Sequence, residues 1–297
     1  MNRIIYVPHD LLNKDYGALK LADKKNDLIV LIESAQTING KKWHSQRLQF
    51  IISSARHFAQ ELSESGYQVV YQKSATTIEG LTKLGKDHKI DKFLTTYPTS
   101  FRRLESFKNF PITFVDNDFF LTPTTEFTDW AKAQKSFKME SFYRQQRVKL
   151  NVLMDGKAPL GGEWNLDHEN RNPVPKGYKS HELSEFKFDE IDALVAGEVK
   201  ELETWGDAGN KYWATTRKQA LKRLAEFLKY NFKEFGAYED AMPINNWSVN
   251  HSAISPYLNN GLLHPTEVVD AALKKFEEGE IPLASCEGFI RQIIGWR

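Results

Sequence analysis

The sequence predicts two parts: an α/β domain built on a parallel sheet, then a domain made of helices. Three observations predict it. Up to about residue 125, short apolar runs alternate with segments of helical period. From 126 to 184, two helical patterns lead into a long aperiodic stretch of Gly, Pro and Asx residues. From 185 to 297, helical periods alone recur. The expected divisions are therefore 1–125, 126–184 and 185–297.

The elements follow in order. Ile4 to Val7 is an apolar run that starts at once, as a buried central strand does. Leu28 to Ile32 is a second, after the solvated turn Asp23 to Asp27. Tyr67 to Tyr71, Phe93 to Thr95 and Ile112 to Val115 give three more strands. Between them, His44 to Ser65 places Leu48, Ile51, Ile52, Ala55, Phe58, Ala59 and Leu62 at three-and-four spacing and ends before Gly66. Thr77 to His88 and Ser100 to Phe107 are two further helices. Strands alternating with helices imply a parallel sheet covered on both faces. No Gly-x-Gly-x-x-Gly follows the first strand, so the usual dinucleotide fingerprint is absent.

Past Glu126, Thr128 to Lys132 and Met139 to Leu153 read as helices. The second carries Arg144, Arg147 and Lys149 on positions expected to face solvent. The segment from Gly156 to Arg171, followed by Pro173 and Pro175, is too long for a simple turn. Thr216 to Phe235 is the clearest later helix, with Thr216 and Gln219 spaced as a capping box and Gly236 as its stop. Thr266 to Glu278 follows. The last helix, from about Leu283, is expected to run off the end of the chain at Arg297, as if cut rather than finished.

Composition excludes several classes. The chain has 297 residues, 41% of them hydrophobic and 12% aromatic, enough to bury a core. A net charge of +1 gives no global pull toward nucleic acid, so any DNA-facing surface must be a local patch. One cysteine, Cys286, excludes an internal disulfide framework and any multi-cysteine metal site. The chain shows no signal peptide and no apolar run long enough for a bilayer. We expect a cytoplasmic, monomeric protein with no membrane contact and no metal. His44 and His57, on the first long helix, read as packing or surface residues.

The candidate site lies in the last fifty residues. Asn250 and His251 precede Ser252 and Ser255, whose spacing would put both hydroxyls on one face of a helix. Free N–H donors, short hydroxyls and a helix start together make a phosphate seat, although plain capping uses the same residues. Glu287 to Arg297 reads Glu-Gly-Phe-Ile-Arg-Gln-Ile-Ile-Gly-Trp-Arg, apolar but for Glu287, Arg291, Gln292 and Arg297.

These two strings resemble the flavin-binding core of the photolyase/cryptochrome superfamily, and more narrowly its bacterial photolyase-related branch that carries an iron–sulfur cluster. The likeness continues through Met139 to Arg144, Gly161-Gly-Glu-Trp-Asn165 and Phe235 to Met242. It implies a Rossmann-like antenna-type α/β domain, an interdomain crossing and an all-α flavin domain. It implies FAD held by Asn250, His251, Ser252, Ser255, Arg291 and Gln292, with Trp296 near both the flavin and the flipped lesion. The implied activity is light-dependent repair of UV-damaged DNA, with pyrimidine lesions of (6-4) type reversed by photoinduced electron transfer. The alternative on the same fold is a cryptochrome-like blue-light signalling photoreceptor.

Two departures stand out. Relatives hold a lumazine antenna with an acidic residue four positions after the matched Glu33; here that residue is Thr37. Asp10 and Glu33 remain as antenna anchors, and the plain alternative for both is a paired carboxylate at a strand end. The family's flavin domain also continues past Gly-Trp-Arg, and its four cluster cysteines lie in that part. The expectation is a truncated chain with no cluster, FAD weakly bound or absent, and no activity alone.

Overall fold

The computed structural model describes residues 1–207, 209 and 211–297. In chain order its strands are β1 Arg3–Tyr6, β2 Asp27–Ser34, β3 Trp43–His44, β4 Gln68–Ser74, β5 Phe93–Thr96, β6 Ile112–Val115, β7 Met154–Asp155, β8 Ala158–Pro159 and β9 Thr204–Trp205. Its α-helices are α1 Ala35–Asn39, α2 Ser45–Glu64, α3 Thr77–His88, α4 Phe101–Ser106, α5 Thr124–Lys132, α6 Met139–Leu150, α7 Glu190–Lys200, α8 Arg217–Tyr230, α9 Phe232–Phe235, α10 Ser255–Asn260, α11 Pro265–Glu277 and α12 Leu283–Ile294. Among the described residues no helix is long and apolar enough to cross a membrane.

The chain forms two compact units. The first comprises Met1–Phe119, Glu185–Ala220 and Tyr257–Leu262; the second comprises Phe120–Ser184, Leu221–Pro256 and Leu263–Arg297. Residues 185–220 thus cluster with the sheet, whereas the sequence pattern groups them with the later helices.

Unit 1 holds a five-stranded sheet in the order β4-β2-β1-β5-β6, parallel throughout. All five strands match the apolar runs of the sequence. The order reverses between β1 and β5, the switch point where doubly wound sheets open a crevice at the strand ends. Strand β2 is buried along its whole length, Asp27 and Glu33 included. On one sheet face Ile4, Tyr6, Leu28, Val30 and Ile32 pack with Leu81, Leu84 and Phe107 from the covering helices. Alternate residues point the other way, and Ile5, Ile29 and Leu31 are fully buried there. Helix α2 uses a further stripe, Leu48 and Ile52, against Val195 and Val199 of α7. Tyr257 Oη accepts from Ala214 N at 3.0 Å, and Leu12 N donates to Asn260 O at 2.8 Å. Gly261 has φ +85°, and a Cβ there would sit 2.7 Å from Leu12 N and from a Phe119 ring carbon.

Unit 2 is organised by α12, which touches α6, α9 and α11. Its Phe289 packs on Phe227, Phe232 and Phe235, with ring centroids 4.7, 5.4 and 5.6 Å away. A glycine inside a helix costs about 1 kcal/mol. At Gly288 it makes room for Asn170 and Glu239, whose side-chain atoms would lie 2.6 and 2.8 Å from an added Cβ.

Four helical expectations change. The helix foreseen over 216–235 breaks at Asn231, whose Nδ2 donates to His181 O at 3.3 Å. Gly236 is no helix stop: its φ of −58° is helical, and its backbone N donates to Ser285 Oγ at 2.9 Å. The final helix does not run off the chain; it closes at Ile294 with Gly295 as cap. The capping box at Thr216 is half formed: Gln219 N donates to Thr216 Oγ1 at 3.3 Å, but Gln219 Oε1 accepts from Thr215 N instead.

Arg147, expected in solvent, is fully buried. Helix α6 ends at Leu150, and the chain doubles back through Asn151 and Leu153, both at positive φ. That return brings main-chain carbonyls onto the guanidinium. Nε donates to Val152 O at 3.3 Å, Nη1 to Trp164 O at 2.8 Å and Nη2 to Leu153 O. The guanidinium also lies over the Trp164 ring, 5.6 Å from its centroid. One arginine therefore organises the crossing that carries the Gly-Gly-Glu-Trp-Asn block.

Candidate functional site

Two groups of predicted residues lie in unit 2. The first is the turn before α10. Val249 and Ala253 have φ of +41° and +52°, so left-handed backbone brackets Asn250, His251 and Ser252. Such backbone costs about 1–3 kcal/mol per residue in non-glycine positions and clusters at ligand sites. Asn250 is buried, and its Nδ2 donates to Tyr178 Oη at 2.8 Å and Glu234 O at 3.3 Å. His251 packs edge-on against Phe235 at 6.1 Å. Burial lowers its pKa, so it is neutral at pH 7. Ser252 is half-buried and Ser255 exposed. Neither hydroxyl is among the hydrogen bonds of the described residues.

The two serines do not share a helix face. Helix α10 begins at Ser255, so Ser252 precedes it in irregular backbone. Left-handed Ala253 is what stops the helix reaching back. With six residues, α10 also contributes little dipole.

The second group sits on α12 inside a buried polar network. Glu287 Oε1 accepts from Tyr143 Oη at 2.7 Å, and Glu287 Oε2 accepts from Leu166 N at 3.0 Å. Arg291 is buried among three carboxylates: Asp167 at 3.2 Å, Glu287 at 3.3 Å and Glu239 at 3.7 Å. Gln292 Nε2 donates to Glu239 Oε1, and Asn170 Nδ2 to Glu239 Oε2 at 3.2 Å. Desolvation raises the Glu239 pKa against the pull of Arg291. Asp167 is also partly desolvated, but Arg171 and Arg291 hold its carboxyl below the usual range. Burial and Glu287 push the Cys286 thiol up to about 12. Trp296 is 65% exposed.

The two groups share an aromatic wall and no polar contact. His251 packs on Phe235 and Phe235 packs on Phe289, whereas Arg291 and Gln292 turn to Asp167, Glu239 and Glu287. Among the described residues, no hydrogen bond or ion pair joins Asn250, His251, Ser252 or Ser255 to Arg291 or Gln292. The strained turn, with two uncommitted hydroxyls, fits a polar ligand. Arg291 is ion-paired with three acids, yet only its Nη1 donates a hydrogen bond, to Asp167; Nε and Nη2 are buried without a hydrogen-bond partner among the described residues. Tyr178, Phe235 and Glu239 complete these surroundings; Phe235 and Glu239 lie in the Phe235 to Met242 string of the resemblance but were given no site role, and Tyr178 was not singled out. The strain at Val249 and Ala253 had no sequence signal either, because neither residue is Gly or Asn.

The remaining candidates lie in unit 1, at the C-terminal ends of β1 and β2. Asp10 Oδ1 accepts from Arg103 Nη1 at 2.5 Å and Asp10 Oδ2 from Thr99 Oγ1 at 2.7 Å. Glu33 accepts from Arg56 Nη2 at 2.9 Å and Tyr71 Oη at 2.7 Å. Both carboxylates are therefore paired by the protein. Beside them His9 stacks on Tyr71 at 6.0 Å, and its Nε2 is buried without a hydrogen-bond partner among the described residues. Desolvation lowers the His9 pKa to about 4.

Comparison with known proteins adds the lineage. Residues 5–213 match the family described as deoxyribodipyrimidine photo-lyase-related protein. The whole chain is 36% identical, over 311 aligned residues, to a (6-4) photolyase of Agrobacterium fabrum and covers 61% of it. It superposes over its full length on a bacterial class III photolyase from Agrobacterium tumefaciens, with TM-score 0.55 and 16% identity, spanning 57% of that chain. A cryptochrome from Synechocystis gives TM-score 0.56 and 12% identity, with all of this chain and 59% of the other aligned. At those identities the two structures speak for the fold alone. The chain spans about three fifths of the length of these relatives.

Proposed function

The chain belongs to the deoxyribodipyrimidine photo-lyase-related family, and from that premise we propose that it serves light-dependent, FAD-dependent reversal of UV-induced pyrimidine lesions in DNA, of (6-4) type. The observation that carries this reading is the 36% identity, along the entire chain, to a relative named as a (6-4) photolyase.

In this reading Ser252 and Ser255 hold the polar part of the cofactor, because their hydroxyls are uncommitted and a strained turn presents them. Asn250 anchors the turn through Tyr178 and Glu234. His251, neutral at pH 7, places no extra charge beside the ligand. When bound, the flavin supplies light-driven one-electron chemistry; the protein supplies position and polarity. Arg291 and Gln292 fix the α12 face through Glu239 and Asp167 rather than reaching out. Because Arg291 is committed to acids, we expect these 297 residues by themselves to hold FAD weakly. Exposed Trp296 offers a ring on which an extruded base can stack, as a lesion must leave the duplex to be reached. A lumazine-type antenna at the β1 and β2 ends would have to take Asp10 or Glu33 from its arginine, leaving His9 Nε2 as the unpaired group there.

The test is repair of a (6-4)-containing oligonucleotide under blue light, with saturating FAD and a reductant. Lesion loss that requires light and falls in a Ser252→Ala/Ser255→Ala variant is expected. Flavin that binds and photoreduces with no repair would instead favour blue-light signalling. Flavin affinity unchanged by the double variant would remove the turn from the site.

A further inference from the structure

Away from the flavin segments, unit 1 carries a second cluster of ligating side chains. His57 is on α2, Asp189 caps α7, and Asp192 lies in the first turn of α7. Each offers a ligand atom within 4.8 Å of the other two. His57 Nε2 and Asp189 Oδ2 are 2.8 Å apart.

The His57 side chain is 10% exposed, as a packing residue's would be. Asp192 is 2% exposed. Capping uses part of the donor set: Asp189 Oδ1 accepts from Asp192 N at 3.0 Å, and Asp192 Oδ2 faces Asp189 N at 3.5 Å. That leaves Asp192 Oδ1 and His57 Nδ1 buried with no hydrogen-bond partner among the described residues. A carboxylate oxygen shut away from water needs a donor or a cation. Capping explains the other two contacts and leaves this oxygen unexplained.

We propose that His57, Asp189 and Asp192 bind one zinc-class divalent cation, which clips α2 to α7. Two carboxylates and a neutral imidazole balance a dication. An imidazole in the set argues against magnesium and calcium, which take oxygen ligands. Zinc bonds of about 2.0–2.2 Å put tetrahedral ligand atoms about 3.3 Å apart. The His57–Asp189 pair opens by about half an ångström to reach that spacing, and Asp192 closes in. Water takes the fourth position, and the ion's structural effect comes from drawing ligands of both helices onto one centre. The same two helices are joined by Leu48, Ile52, Val195 and Val199, and by Arg56 and Glu198, so the ion adds to an existing seam.

The experiment uses the full chain stripped with chelator and then titrated with Zn2+, Co2+ or Mg2+. One Zn2+ per chain is expected, with a higher melting temperature, and no response to Mg2+. Bound Co2+ should show imidazole and carboxylate ligation in its visible and magnetic resonance spectra. His57→Gln and Asp192→Asn keep the side-chain shapes and should weaken Zn2+ about tenfold or more, since even outer partners of a metal site are worth about 10–100-fold. Zn2+ binding no tighter in the wild type than in these variants, or a melt unchanged by Zn2+, would overturn the proposal and leave water as the partner of Asp192. Should a variant fail to fold, the Co2+ spectrum of the wild type decides alone: absence of imidazole nitrogen refutes the site.

Discussion

Replacing Arg147 with Met tests whether a single buried cation holds the crossing between Val152 and Trp164. Methionine fills much of the same volume but donates nothing. The carbonyls of Val152, Leu153 and Trp164 would lose their guanidinium donors in a site with no exposure at the arginine. Hydrogen bonds to charged groups are worth about 1.5–3 kcal/mol each. The substitution also removes the desolvation cost of a buried charge. Three lost bonds against that relief leave a net destabilisation of about 3–5 kcal/mol. Lysine restores the charge but is a point donor and cannot span three carbonyls, so Arg147→Lys should recover less than half of the loss. Urea denaturation gives the energy. Hydrogen exchange at residues 152–164 gives the location, with faster exchange expected there before the sheet is affected. A loss below about 1 kcal/mol, or a lysine variant equal to wild type, would show that these carbonyls find other donors.

Three further outcomes are expected. His9 has a folded pKa of about 4 against an ordinary 6.5, so the unfolded chain takes up the proton first and stability falls as pH drops from about 6.5 to about 4. That slope is worth about 3–4 kcal/mol and should disappear in His9→Asn when denaturation is followed across the window. Gly261→Ala places a Cβ against Leu12 N at positive φ and should cost about 2–4 kcal/mol in a thermal melt; a neutral result would mean the Tyr257–Leu262 segment packs loosely. Cys286, fully buried with its thiol at about 12, should resist a thiol-reactive dye in the folded protein and react once after denaturation; rapid labelling of the native protein would contradict that burial.

Much of the sheet was legible because buried strands write themselves as apolar runs. Leu28 to Ile32 and Ile112 to Val115 needed no further information, and Thr77 to His88 matches its helix end to end. What escaped was decided by distant partners. The period of Glu190–Lys200 shows an apolar stripe without saying what covers it, and Leu48 and Ile52 turn out to. Arg147 looked solvated because charge usually goes outward, yet carbonyls from a loop after its own helix trap it. The candidate site was legible as a set of residue types. Its geometry was not, because left-handed Val249 and Ala253 break the helix assumed for the two serines, and Arg291 meets acids contributed from Asp167 and Glu239.

The make-up of unit 1 has a consequence for how the chain is made. Its final piece, Tyr257–Leu262, follows Phe119 by roughly 140 residues, or about 7–30 s of synthesis at about 5–20 residues per second. For roughly the first 80 residues of that interval a nascent sheet emerges from the ribosome with Leu48 and Ile52 uncovered, since Val195 and Val199 have yet to arrive. A sticky flank held open for many seconds is a natural handle for a chaperone. Translation slowed before residue 200 should therefore lower the soluble yield more than the same slowing after residue 262.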